Sequence, residues 1–134
     1  VPAIKLSLAD LALTRKRFDE ALAMYRDLLA QNPRHFVAGN NAAWILSEVK
    51  NDPAAALAIV EEVRKARGDR AVAAERLPAD FLDTIGVIYA KLNRADLYPE
   101  MRATFDAAAT RYPTDPRMHL YRGHALAAVG ERSK

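Results

Sequence analysis

Phe18-Asp19-Glu20-Ala21-Leu22-Ala23-Met24-Tyr25-Arg26-Asp27-Leu28-Leu29-Ala30-Gln31-Asn32-Pro33 is the stretch on which the fold turns. Phe18, Ala21, Leu22, Tyr25, Leu28 and Leu29 fall three or four residues apart, the spacing that gathers side chains on one face of an α-helix. Asn32-Pro33 ends the helix, because proline lacks the amide hydrogen that the next turn would need. The spacing predicts a helix over residues 18–31.

The same periodicity extends in both directions. Before this stretch, residues 3–14 carry Ile4, Leu6, Leu8, Leu11 and Leu13, and the polar turn Thr14-Arg15-Lys16-Arg17 separates the two. After it, residues 35–49 predict a third helix carrying Ala42, Ala43, Ile45, Leu46 and Val49. Asn51-Asp52-Pro53 supplies a cap and a proline at the first helical position. A fourth helix over 53–67 carries Ala56, Leu57, Ile59, Val60 and Val63 and stops at Gly68. Residues 68–77 are less periodic and read as a longer connection, with the option of extending a helix. A fifth helix over 78–92 carries Phe81, Leu82, Ile85, Val87, Ile88, Tyr89 and Leu92, and Asn93-Arg94-Ala95-Asp96 is the turn that follows. Pro99 opens a sixth that runs to Arg111 through Met101, Phe105 and Ala108. Tyr112-Pro113 breaks it, and Asp115-Pro116 starts a seventh with Met118, Leu120, Tyr121, Ala125, Leu126 and Val129. Alternating apolar and polar residues are nowhere sustained, so an all-α fold of about seven helices is expected.

Composition narrows the classes. The chain has 134 residues and is 51% hydrophobic, which fits one domain and excludes intrinsic disorder. It contains no Cys, and so has no disulfide, thiolate metal site or cysteine nucleophile. The net charge of +3 is spread among interleaved acids and bases, as at Glu61, Glu62, Arg64, Lys65 and Arg67. A nucleic-acid binder wants a one-sided basic stripe with aromatics, and the run Arg15-Lys16-Arg17 is followed at once by Asp19-Glu20. No apolar run approaches the length of a membrane span. Val1 opens the chain without a signal-peptide pattern, which reads as a mature product or a piece of a longer chain.

A shift of 34 residues superposes Ala43 on Ala9 and Ala55 on Ala21, a repeat to be weighed before any catalytic reading. Leu8-Ala9, Ala42-Ala43, Ile85-Gly86 and Arg122-Gly123 recur in the middle of alternate helices, and Pro33 and Pro113 close two of the helix pairs. Small residues belong where paired helices approach closely, and in such stacking no single pair buries its own face. On these residues the chain resembles the tetratricopeptide repeat family, whose motif is a large then a small residue in the first helix and aromatic, Ala, aromatic and Pro in the second. Repeat one matches as Leu8-Ala9, Phe18, Ala21, Tyr25 and Pro33, and repeat three as Ile85-Gly86, Tyr89, Phe105, Ala108 and Pro113. Repeat two keeps Ala42-Ala43, Leu46 and Ala55 but lacks the closing proline. The stretches 40–46 and 82–86 look like bacterial arrays of this type.

The resemblance implies a right-handed superhelical array of antiparallel helix pairs in one domain over 1–134. Its repeats would span about 2–34, 35–77 and 78–114, with a terminal helix over 115–130. Two connections depart from regularity. Ala43 and Gly86 are 43 residues apart, with the excess around 68–77, and repeat three has about three extra residues around 93–99. Both read as partner-specific loops or as neutral length variation.

Catalytic chemistry finds little support. His119 and His124 are five apart rather than four, so they do not share the helix face of a metal pair. Adjacent Glu61 and Glu62 diverge on a helix, and Ser7, Ser47 and Ser133 lack the setting of a nucleophile. No enzyme activity, cofactor or metal is expected. In the resembled family the first helix of each pair lines a concave groove that takes a peptide or a partner helix. Carried over, the groove residues are Leu6, Asp10, Leu13, Asn40, Asn41, Trp44, Ser47, Asp83, Thr84, Val87, Lys91, Tyr121 and His124. An asparagine amide can donate to and accept from a peptide backbone, and a lone tryptophan suits a binding hot spot. Trp44 reads equally as core packing, and Asn40-Asn41 equally as a solvated or capping pair. The carboxylate clamp of chaperone-binding relatives is not expected, since Leu6, Asp10, Asp80 and Thr84 occupy its positions and only Asn41 matches.

The expected function is a non-enzymatic scaffold for a protein or peptide, without nucleic acid and without membrane insertion. The alternatives are self-assembly through the terminal helix at Gly123, Leu126 and Val129, or an adaptor module of a larger protein. The expected compartment is the cytoplasm or the bacterial periplasm and cell envelope.

Overall fold

Turn chemistry sets the helix boundaries. In the computed structural model, which describes residues 2–68 and 77–132, every regular element among the described residues is helical. The chain forms two compact units, Val1–Arg67 and Gly68–Lys134.

The first unit holds α1 (Pro2–Thr14), α2 (Phe18–Gln31), α3 (Phe36–Trp44) and α4 (Pro53–Arg67). α2 has the bounds its periodicity predicts. Asn32 ends it in an extended conformation, as a residue before proline prefers, and its side chain accepts from the Arg34 amide at 3.1 Å. His35 then caps α3, its Nδ1 accepting from the Ala38 amide at 3.2 Å. α4 starts at Pro53, with Asp52 Oδ1 accepting from the Ala55 amide at 3.1 Å, a side-chain cap on an orphan donor. Successive helices pack on one another, α1 on α2, α2 on α3 and α3 on α4. Their core includes Ala9, Ala21, Tyr25, Leu28, Ala42, Ala43, Ala56 and Val60.

The helix predicted over 35–49 is not uniform. After Trp44 the backbone widens into a π-helical turn, Ile45–Val49, closed by the Lys50 amide donating to the Ile45 carbonyl at 3.0 Å. Ile45, Leu46 and Ser47 are all buried, three consecutive positions that a regular amphipathic turn would divide between core and solvent. Asn51 then takes a left-handed conformation (φ 51°), which asparagine tolerates better than most residues.

The second unit holds α5 (Ala79–Leu92), α6 (Tyr98–Arg111) and α7 (Pro116–Arg132). Left-handed Asn93 (φ 46°) ends α5, and a 3₁₀ turn, Ala95–Leu97, leads into α6. The extra length predicted near 93–99 is thus an ordered turn, in which the Tyr98 hydroxyl donates to Asn93 Oδ1 at 2.8 Å. Asp115 caps α7 by accepting from the Arg117 amide at 2.9 Å. α5, α6 and α7 pack mutually around Phe81, Leu82, Ile85, Ile88, Phe105, Met118 and Ala125. The connection predicted over 68–77 lies almost wholly outside the described residues. Only its ends are described: Gly68, left-handed at φ 75°, and Leu77, whose carbonyl accepts from the Tyr112 hydroxyl at 2.8 Å.

Candidate functional site

In each unit, a tyrosine and an aspartate tie together the helices that carry the predicted groove residues. In the first unit the centre is Tyr25 on α2, fully buried. Its hydroxyl donates to Asp10 Oδ1 on α1 at 2.5 Å and accepts from Asn41 Nδ2 on α3 at 3.1 Å. Asn41 Oδ1 in turn accepts from Asn40 Nδ2 at 3.3 Å. Burial first, then the Asp10 carboxylate, hold the Tyr25 hydroxyl neutral well above the usual phenol range. Three of the predicted groove residues therefore meet around a tyrosine that sequence reading had assigned to the repeat motif alone.

Beside this network lies an open depression of about 400 Å³ lined by Leu13, Thr14, Lys16, Phe18, Asn40, Asn41 and Trp44. Trp44 is 42% exposed and its ring centroid is 6.4 Å from that of Phe18. It is therefore neither a core residue nor a free surface ring. It stands beside Phe18 of α2 and lines the depression. Lys16 is the charged residue of the lining and stands in a left-handed turn (φ 60°). Leu6 is half-buried and Ser47 is buried within the first unit.

In the second unit Tyr121 on α7 lies over α5. A carbon placed at Gly86 Cβ would stand 2.6 Å from Tyr121 Cγ and Cδ2, so only a glycine lets the ring approach this closely. The ring packs on Phe105 with centroids 5.1 Å apart, and the hydroxyl donates to Asp83 Oδ1 at 2.6 Å. Burial first, then Asp83, again raise the tyrosine above the ordinary phenol range. Arg117 reaches the same carboxylates, donating to Asp80 Oδ1 at 3.2 Å and to Asp115 Oδ2 at 2.8 Å, with Asp83 Oδ2 at 3.8 Å. The hydrogen bond from Arg117 holds Asp115 below the usual carboxylate range.

Thr84 is buried and its hydroxyl donates to the Asp80 carbonyl at 3.2 Å, while Val87 is half-buried. His124 is exposed and lines a different depression, of about 440 Å³, with Tyr89, Tyr98, Met101 and Ala127 among its walls.

Among the described residues no three His, Asp or Glu side chains converge as a metal group, and no helix is long and apolar enough to cross a membrane. No protein-family model, curated protein or solved structure matches the chain.

Proposed function

We propose that the chain is a right-handed superhelical array of the tetratricopeptide type, acting as a non-enzymatic interaction module that takes a peptide or a partner helix. The observation that carries this reading is the Trp44 depression. A large, rigid aromatic is half-exposed there, and Leu13, Phe18, Asn40, Asn41 and Lys16 share the lining with it. Apolar walls with few polar groups are what an anchor side chain needs, and a preformed wall lowers the ordering cost of binding. The polar residues on α1, α3, α5 and α7 contribute by fixing neighbouring helices, which keeps such walls in place.

The test is a selection of displayed random peptides on the chain, followed by titration of the winners against wild type and Trp44→Ala. Trp44 is the sole tryptophan, so its emission reports occupancy directly. Winners that shift this emission and bind folded Trp44→Ala at least about tenfold more weakly support the reading. Winners that bind both proteins equally overturn it. Self-association through the terminal helix is the second reading, favoured by Leu126 at 41% exposed. It requires a mass that rises with concentration and falls on Leu126→Glu.

A further inference from the structure

Three turns each join the helices of a pair through a residue in the left-handed region. These are Lys16 (φ 60°) between α1 and α2, Asn51 (φ 51°) between α3 and α4, and Asn93 (φ 46°) between α5 and α6. Asparagine visits this region readily, because its short polar side chain bonds locally, whereas the Cβ of a lysine crowds the following carbonyl. At the end of α1 the Arg17 amide donates to the Ala12 carbonyl at 2.8 Å and the Lys16 amide to the Leu13 carbonyl at 3.0 Å. This is the bonding pattern of a helix end at which glycine is the commonest residue. Lys16 therefore stands in a conformation it disfavours, where the other two pairs use asparagine.

The fold gains little from this lysine. It is exposed, and its side chain makes no ion pair or hydrogen bond among the described residues. A cation near the C-terminus of α1 suits the helix macrodipole, but Arg15 and Arg17 flank Lys16 and supply that charge. What Lys16 does line is the Trp44 depression, as its charged residue. The other polar groups of the lining are engaged within the fold. The Thr14 hydroxyl donates to the Asp10 carbonyl at 2.9 Å, the Asn40 amide to Asn41 Oδ1 at 3.3 Å and the Asn41 amide to the Tyr25 hydroxyl at 3.1 Å. Backbone strain of this kind clusters at ligand clamps. The exposed aliphatic residues Ile4, Leu8 and Leu11 line no part of the depression, whose walls come from the end of α1, the Lys16 turn, α2 and α3.

We infer that Lys16 is the specificity residue of this depression: the occupant is an internal segment of a partner protein in which an apolar anchor lies next to an Asp or Glu, and Lys16 pairs with that side-chain carboxylate. This rests on the reading of the depression as a binding site and adds the chemistry of what it takes. A lysine ammonium is a point charge on a flexible stem, suited to one carboxylate beside an apolar anchor. A chain terminus or a phosphate is held by several converging donors, and the amides around Lys16 are already engaged.

The probes are fluorescein-labelled synthetic peptides with both ends blocked, each carrying one Phe or Leu anchor with Glu, Gln or Lys beside it. They are titrated into the full chain and followed by fluorescence anisotropy, with a Gln peptide of free C-terminus as a further arm. Glu peptides should bind wild type about two- to fivefold more tightly than Gln peptides, and Trp44→Ala should weaken both. Lys16→Gly should abolish the Glu preference and yet raise the midpoint of urea unfolding, because glycine adopts a φ of 60° without strain. Lys16→Glu should turn the preference toward the Lys peptides. If Lys16→Gly does not fold, Lys16→Asn, which repeats the residue of the other two turns, takes its place. A Glu preference that survives Lys16→Gly overturns the inference, as does Trp44-dependent binding without any Glu preference; both leave the depression standing as a site. Absence of Trp44-dependent binding overturns the site and the inference together. A preference confined to the free C-terminus would assign Lys16 to a chain end, and a mass that rises with concentration and falls on Trp44→Ala would assign the depression to a second copy of the chain. Either result overturns the inference.

Discussion

Gly86→Ala adds one carbon at the closest helix approach in the second unit. That carbon would lie 2.6 Å from two ring atoms of Tyr121 and 2.7 Å from a third, whereas carbon atoms rest at about 3.5–4.0 Å. The ring cannot simply slide away. Its far side packs on fully buried Phe105 and its hydroxyl is held by Asp83. Overpacking a fixed contact costs about 1–3 kcal/mol, and giving up a hydrogen bond to a charged acceptor costs about 1.5–3 kcal/mol. The second cost is reduced here, because Asp83 is partly exposed and keeps Arg117 within 3.8 Å. Alanine in a helix interior returns about 1 kcal/mol relative to glycine. The net expectation is a loss of roughly 2 kcal/mol, a fall of roughly 10 °C in Tm for a unit of this size.

The assay is thermal and urea unfolding followed by far-ultraviolet circular dichroism. A double-mutant cycle sharpens it. Once Tyr121→Ala has removed the ring, Gly86→Ala should become stabilising by up to about 1 kcal/mol, because only helix propensity remains. A sign change between the two backgrounds is the signature of the close approach. Effects that add, or a Gly86→Ala protein as stable as wild type, would refute the packing of α7 on α5 through this glycine.

Two further outcomes follow from the tyrosine networks. Tyr25→Phe leaves Asp10 and Asn41 without their shared hydroxyl and should lower stability by about 1–3 kcal/mol in urea unfolding; no change would mean that water replaces the hydroxyl at no cost. Because Tyr25 and Tyr121 have raised pKa values in the fold, the folded chain keeps protons that the unfolded chain loses above pH of about 10. Their contribution to stability is intact below that pH and declines as the pH rises through the folded pKa values. Tyrosinate absorbance from two of the five tyrosines should therefore appear together with the loss of helical signal. Titration of all five while helicity persists would count against both buried hydroxyls.

Much of the fold was legible because local chemistry sets it. The dipeptides at Asn32-Pro33, Asp52-Pro53 and Asp115-Pro116 stop or start helices through backbone rules, and α2, α4 and α6 bury most of the apolar residues the periodicity gathered, leaving Phe18, Leu29 and Ile59 part-buried. The π-helical turn after Trp44 was not legible, since Ile45-Leu46-Ser47 continues an ordinary helical composition and widens only against its surroundings. The side-chain pairings around the candidate site were not legible. Asp10, Asn41, Asp83 and Tyr121 were picked out as groove residues, but the partner of Asp83 stands 38 residues away and that of Asn41 16 residues away. A tyrosine on the apolar face of α2 was the available signal, because a buried phenol needs an acceptor and a nearby first helix offers an aspartate.

Those pairings change what the groove residues can contribute to recognition. A peptide acceptor that drew on the Asn41 N–H bonded to Tyr25 would compete with that hydroxyl, and a donor that drew on Asp83 would compete with Tyr121 and Arg117. Each exchange swaps one hydrogen bond for another, so it adds little affinity, and leaving a buried donor unpaired would cost about 1–3 kcal/mol. The exposed faces of Trp44, Leu13 and Phe18 carry no such penalty, and covering apolar surface yields roughly 25 cal/mol per Å². Affinity at this depression should therefore come from an apolar anchor, with Lys16 biasing the choice toward an acid beside it. The salt dependence of binding should be that of a single exposed ammonium and accordingly shallow.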